Sequence, residues 1–455
     1  MDRRRFLSSS LVLPATLFLP ESLRAVETVP RRRALDLRLV EAVLEHPAAE
    51  ACRARGRVFL DLGADNVARF RVQFPSDGYY HFELRYGGDT LPRPPRAAVL
   101  LDRRLLGTNY FLTDHEADPT AMRPQFSHGD LGTHRVTAGL HTVEIETLFE
   151  RGEALESLRV TPTNRPLDRP RLSFVQLSDT HIMKGQYPVW LNRKIDGDMP
   201  EALLEVAAKI RELSPDFVMH TGDIVDGETP ESIAFAREVM RPIPRPLYPI
   251  LGNHDTYRNN HANWLSIWKD DFPSDKVYYS FDCKGWHFIM LDCLLNQSHS
   301  LREPQLAWLD ADLAQHPDRP TVIAAHTPVG EPGENPRLTS GLAPRLAVNP
   351  QVKLILAGHT HRNHYARYNG RAHATVAAMV EWPLIYRRFL VFSDRVEVET
   401  YQLSRPFQRN SWMSIEDKLD YRRKHNERPM EKDHKNNNDM LGDNATLSPV
   451  IPLSA

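Results

Sequence analysis

At 455 residues the chain exceeds one ordinary domain, and its length predicts two or three. Apolar residues make up 41% and charged residues 25%, with a formal net charge of −2. That is the balance of a soluble globular protein, and it gives no ground for nucleic acid or an anionic membrane as a partner held by bulk charge.

In chain order, Arg3-Arg4-Arg5-Phe6-Leu7 opens with a twin arginine, one spacer and two apolar residues. The apolar run from Ser8 to Leu19, broken at Pro14, is too short to span a bilayer. Residues 1–25 therefore read as a Tat-type signal peptide, and the expected location is the bacterial periplasm or the exterior. The mature chain is expected to carry no transmembrane span. Of the three cysteines, Cys52, Cys283 and Cys293, the last two flank a hairpin turn at Lys284-Gly285 asymmetrically. They would not face each other across the ladder, so no structural disulfide is expected.

Residues 35–165 read as all-β. Ala68, Phe70, Val72 and Phe74 alternate with polar neighbours, as do Tyr80, Phe82, Leu84 and Tyr86 after the Ser76-Asp77-Gly78 turn. Val143 and Ile145 repeat the pattern. Period-two runs between turn residues predict a half-buried antiparallel sandwich. The segments Gly78–Tyr86 and Ala138–Val143 resemble galactose-binding-like jelly rolls, among them carbohydrate-binding modules. That resemblance implies a carbohydrate or cell-envelope polymer as partner. Tyr110 and Phe111 are candidates for a sugar platform, but core burial is the commoner fate of such rings, and no sugar-binding residue is assigned.

Thr161–Arg171 is proline-rich and reads as a semi-rigid linker. Residues 170–405 then alternate between strand and helix patterns. Leu172–Leu177, Phe217–Met219, Leu247–Leu251, Thr321–Ala325 and Val352–Ala357 are short apolar runs. Leu203, Val206, Ala207, Ile210 and Leu213 recur at helical spacing, and Ser232–Met240 and Glu303–Gln315 follow suit. This alternation predicts an α/β layered domain. Residues 406–455 turn polar and read as a tail, partly helical and partly disordered.

Five motifs follow apolar runs in one order: Asp179-Thr180-His181, Gly222-Asp223, Gly252-Asn253-His254-Asp255, His326 and Gly358-His359-Thr360-His361. Oxygen and nitrogen donors from several strand ends would meet at one sheet edge. Taken singly, Asp223 and Asn253 suit any turn, and a lone His326 is an ordinary histidine. Together, residues 172–402 resemble the calcineurin-like metallophosphoesterases. The resemblance implies a four-layer αββα fold beside the jelly-roll sandwich. It also implies two metal ions, one held by Asp179, His181 and His361 and the other by Asn253, His326 and His359, with Asp223 bridging. Donors without thiolate suit Zn, Mn, Fe or Co. His254 corresponds to the family's catalytic histidine, and Asp255 is expected to orient it. Asp226 stands where purple acid phosphatases have a tyrosine, which sets the chain nearer bacterial class III cyclic-nucleotide phosphodiesterases.

The expected function is an exported two-metal phosphohydrolase using a metal-bridging hydroxide, a phosphodiesterase rather than a phosphomonoesterase. Nucleic acid enters only as a conceivable substrate. The alternatives are a monoesterase, or a polysaccharide-binding envelope protein whose second domain no longer turns over. The eight intact motif residues argue against the latter. The loops Ile182–Pro200, Tyr257–Trp268 and Val329–Pro344 are expected to set specificity.

Overall fold

The computed structural model describes residues 10–11, 26–46, 50–54, 57–62, 66–88, 97–108, 125–147, 154–183, 195–227, 229–256, 261–294, 299–329, 336–368, 370–409, 411 and 443–453. The twin arginine, Tyr110, Phe111 and most of the polar tail lie outside these residues. The chain divides into two compact units, residues 1–169 and 170–455.

The first unit is β-rich. In one sheet, Ala154–Pro162 lies between Gly78–Gly88 and the short strand Leu35–Arg38, and Gln125–Val136 pairs on the far side of Gly78–Gly88. In the other, Gly139–Thr147 lies between Val67–Phe74 and Ala97–Leu101. The alternation seen in the sequence is real. Phe70, Val72, Phe74, Tyr80, Phe82, Leu84, Tyr86, Val143 and Ile145 are buried in one cluster. Thr163 donates its backbone N–H to Tyr79 O at 2.9 Å, so the proline-rich segment begins as an ordered extension of its strand.

The second unit is an α/β domain with two mixed sheets. Leu172–Leu177, Phe217–Thr221 and Leu247–Ile250 run parallel, and Ile385–Val391 pairs antiparallel with the first of them. In the second sheet Trp286–Met290, Thr321–Ala324 and Val352–Ala357 run parallel. Strands covered on both faces need continuous apolar runs, and Leu172–Leu177 is buried at every position. One core cluster joins both sheets: the Phe174 ring meets Phe217 at 5.1 Å and Phe288 at 5.5 Å. The alternate residues Ile289, Ile323 and Ile355 join a separate cluster with Leu309, Leu313, Leu342 and Leu346 from two helices.

Helices α1 (Met199–Leu213), α2 (Pro230–Met240) and α4 (Gln305–Gln315) fall where the periodicity places them. Thr229 caps α2 by accepting the Ser232 N–H at 3.2 Å, with Pro230 at the first turn. Two stretches expected to be loops are partly helical: α3 (His261–Ile267) and α5 (Pro336–Val348). Gly341 and Pro344 hide α5 in the sequence. Burial of Leu342 and Leu346 outweighs that local cost. Trp264 anchors α3, fully buried with its indole N–H on Asp255 O at 3.0 Å.

The expected tail needs correction at its end. Asn444–Leu447 forms a helical turn and Val450–Pro452 a strand antiparallel to Arg395–Gln402. Ile451 is buried there, a single apolar side chain too brief to register as a strand. Among the described residues no helix is long and apolar enough to cross a membrane.

Candidate metal centre

Each motif sits just beyond the C-terminal end of a parallel strand. Asp179 follows Leu177, Asp223 follows Thr221, Asn253 follows Ile250, His326 follows Ala324 and His359 follows Ala357. The C-terminal ends of parallel strands are where open α/β sheets gather ligands. The chain must then turn sharply, and the turn residues show it. Asp179 (φ 52°), His181 (42°), Asp223 (53°), His359 (71°) and His361 (54°) all adopt left-handed backbone. Each such residue costs about 1 kcal/mol or more, and it persists only where its surroundings enforce it. Here they do. Asp179 N–H donates to Gly222 O (2.9 Å), His181 N–H to Asp223 O (3.0 Å) and Val380 N–H to Asp179 O (3.2 Å).

The glycines of the motifs are spacers of contact distance. A Cβ on Gly252 would lie 2.1 Å from Asp223 Oδ1, one on Gly358 2.0 Å from Ser178 Oγ, and one on Gly222 2.5 Å from His326 Nδ1. Real Cβ atoms do not approach this closely, so the motifs converge only with glycine at these positions.

The structure brings all seven expected ligands together. Donor atoms of Asp179, His181, Asp223 and His361 lie within 4.8 Å of one another, and so do those of Asp223, His326 and His359. Asp223 belongs to both groups. His326 Nε2 is 3.2 Å from Asp223 Oδ2 and 3.2 Å from Asn253 Oδ1. His361 Nε2 is 3.2 Å from Asp179 Oδ1 and 3.3 Å from His181 Nε2.

The surrounding bonds aim these atoms. His326 Nδ1 donates to Thr221 O at 2.7 Å, which leaves Nε2 as the donor atom facing Asp223. His361 Nδ1 pairs with Glu381, a residue no motif announced. Burial opposes charge on Asp223, yet His326 and His181 hold its carboxyl well below the usual carboxylate range. Burial likewise opposes protonation of His326 and His361, but the neighbouring carboxylates push both up to about 9. Burial beside them drives His359 down to about 3. Two carboxylates that gather positive charge, ringed by aimed imidazole nitrogens, are a donor set suited to two divalent cations.

His254 lies beside the two donor groups, partly buried. Its backbone N–H donates to Asp223 Oδ1 at 2.9 Å, and its ring packs 4.6 Å from that of His181. Its carboxylate partner is not the expected one. His254 Nδ1 is 2.6 Å from Asp226 Oδ1. Asp255 instead is fully buried beneath the strand ends. It accepts the backbone N–H groups of Gly252 (2.7 Å), Val225 (2.9 Å) and Ile224 (3.1 Å). The tight turn after Asn253 directs Asp255 inward, so it braces the second and third motifs and does not orient His254.

Two other buried histidines have local partners. His220 accepts the Gly222 N–H and pairs with Thr180 Oγ1 at 3.1 Å. His287 has Asp282 at 2.8 Å on one ring nitrogen and Asp312 at 2.7 Å on the other.

The family profile for calcineurin-like phosphoesterases matches residues 172–363. A probable glycerophosphodiester phosphodiesterase from Arcobacter nitrofigilis is 30% identical over 208 residues, 41% of this chain and 71% of that protein. A 3',5'-cyclic adenosine monophosphate phosphodiesterase from Haemophilus influenzae is 26% identical over 224 residues, 47% of this chain and 79% of that protein. Among solved structures, a dimetal phosphatase from Danio rerio is 19% identical with a TM-score of 0.42, covering 52% of this chain and 100% of that one.

Proposed function

The chain belongs to the calcineurin-like phosphoesterases and is a metal-dependent phosphoric ester hydrolase, and from that premise we propose that it cleaves phosphodiesters at a two-metal centre. The observation that carries this reading is Asp223, the one carboxylate shared by both donor groups. Asp179, His181 and His361 would hold one ion, and Asn253, His326 and His359 the other. Two such ions, when bound, supply Lewis acidity toward phosphate oxygens and a nucleophile at neutral pH. Preference for diesters over monoesters rests on the glycerophosphodiester and cyclic-nucleotide phosphodiesterases among the relatives. The same reading takes the domain as an αββα sandwich, supported by the alternation of Phe288 and Ile289 between two cores.

His254 is the proton donor of this reading. With Nδ1–H given to Asp226, Nε2 is left to serve the leaving oxygen. A basic alkoxide needs that proton, and a nitrophenolate does not. His254→Ala should therefore lose about 10²–10⁴-fold in kcat/KM on alkyl diesters and far less on nitrophenyl diesters, with metal content unchanged. Equal losses along a series of leaving groups would make His254 a phosphate-binding residue instead.

Export is part of the proposal and rests on Arg3-Arg4-Arg5-Phe6-Leu7. Changing Arg3 and Arg4 to Lys should retain the protein in the cytoplasm of a bacterial host. Fractionation that finds the variant outside as before would remove this element.

A further inference from the structure

One histidine near the centre belongs to none of the five motifs. His299 follows the strand Trp286–Met290, which lies beside the strand that delivers His326. Its backbone is left-handed, φ 46°, as are those of Asp179, His181, Asp223, His359 and His361. Ser300 N–H on Cys293 O at 2.8 Å ties this segment back to the strand end. The His299 ring lies 5.2 Å from the ring of His359, and the residue is half-buried.

A short hydrogen-bonded chain holds the ring. The Cys293 thiol donates to Thr327 Oγ1 at 3.6 Å, and Thr327 Oγ1 is 2.9 Å from His299 Nδ1. With the Cys293 thiol donating on one side of Thr327 Oγ1, we take the hydroxyl proton to point at Nδ1 on the other. The ring then carries its own proton on Nε2. Cys293 is fully buried and unpaired, which gives that thiol a use.

We infer that His299 is a second imidazole contacting substrate, its Nε2–H donating to a phosphodiester oxygen on the His359 side while His254 serves the His181 side. The inference rests on the two-metal reading of the centre. The two rings differ in their partners. Asp226 gives His254 a carboxylate, suited to a group that passes a proton. Thr327 gives His299 a neutral hydroxyl, suited to a fixed donor.

The test uses the full chain loaded with zinc, inorganic phosphate as probe, and zinc content measured for every protein. By titration calorimetry His299→Ala should bind phosphate about tenfold more weakly or worse, as expected when a hydrogen bond to a charged group is lost. His299→Gln, which keeps an amide N–H near the Nε2 position, should recover part of that loss. Nitrogen-15 spectra of labelled histidine, with His299 assigned from the Gln variant, should show the Nε2–H form. Phosphate binding by His299→Ala at the wild-type strength with zinc intact would overturn the inference, as would an Nδ1–H tautomer. If His299→Ala loses zinc, the Gln variant and the tautomer decide. Wild-type protein that binds phosphate but hydrolyses no diester would defeat the two-metal phosphodiesterase reading and leave the binding and tautomer results to judge His299.

Discussion

Asp226→Asn keeps the shape of the side chain and removes the charge facing His254 Nδ1, 2.6 Å away. Loss of such an outer partner typically costs about 10–100-fold in activity. We expect that loss in kcat/KM on alkyl diesters, with the melting temperature near that of the wild type. Asp255→Ala should do the reverse of a clean kinetic change. It strips three buried backbone N–H groups of their acceptor, and unfolding in urea should show a loss of about 3 kcal/mol or more. A stable Asp255→Ala variant with Asp226→Asn silent would restore Asp255 as the partner of His254. The sequence could not separate the two carboxylates. Asp255 adjoins His254 along the chain, and only the turn geometry reveals that adjacency points the wrong way. Asp226 was visible as the fourth residue after Gly222, but its reach to His254 depends on two loops closing on each other. Glu381 had no signal at all, because it comes to His361 from a stretch with no recurring pattern.

At the scale of elements, the strands feeding the site were legible because a buried parallel strand must be apolar throughout, and each run ended at a motif. The helices α3 and α5 were not, since the evidence for them is tertiary: Trp264 and Leu342 are buried by neighbours distant in sequence. The same holds for Val450–Pro452. Its lone buried side chain, Ile451, packs with the core of the second unit, and the turn before it supplies Thr446 O to the buried Arg387 at 2.7 Å. Truncating a buried isoleucine costs about 2–5 kcal/mol. Ile451→Ala should therefore lose at least about 2 kcal/mol in urea unfolding of the second unit, while zinc content under native conditions stays the same. A change below about 0.5 kcal/mol, the range of ordinary surface substitutions, would return these residues to the tail.

At the scale of the molecule, the chain carries two units with separate apolar clusters, and every residue of the proposed metal centre lies in the second. Cores that are built separately can melt separately. Calorimetry on the full chain should then resolve two transitions, only one of which responds to metal. An ion bound to the folded state at 100 times its dissociation constant adds about 2.7 kcal/mol. For a unit of this size, one kcal/mol raises the melting temperature by about 2–4 °C. Removing the metals should lower one transition by roughly 5–10 °C for each ion lost and leave the other in place. Asp223→Asn, which takes the shared carboxylate from both donor groups, should make the metal-loaded protein melt like the stripped one. A single transition that moves as a whole on stripping would mean that the two units unfold as one cooperative body. Two transitions that both ignore the metals would mean that the converging side chains hold no ion that matters to the fold.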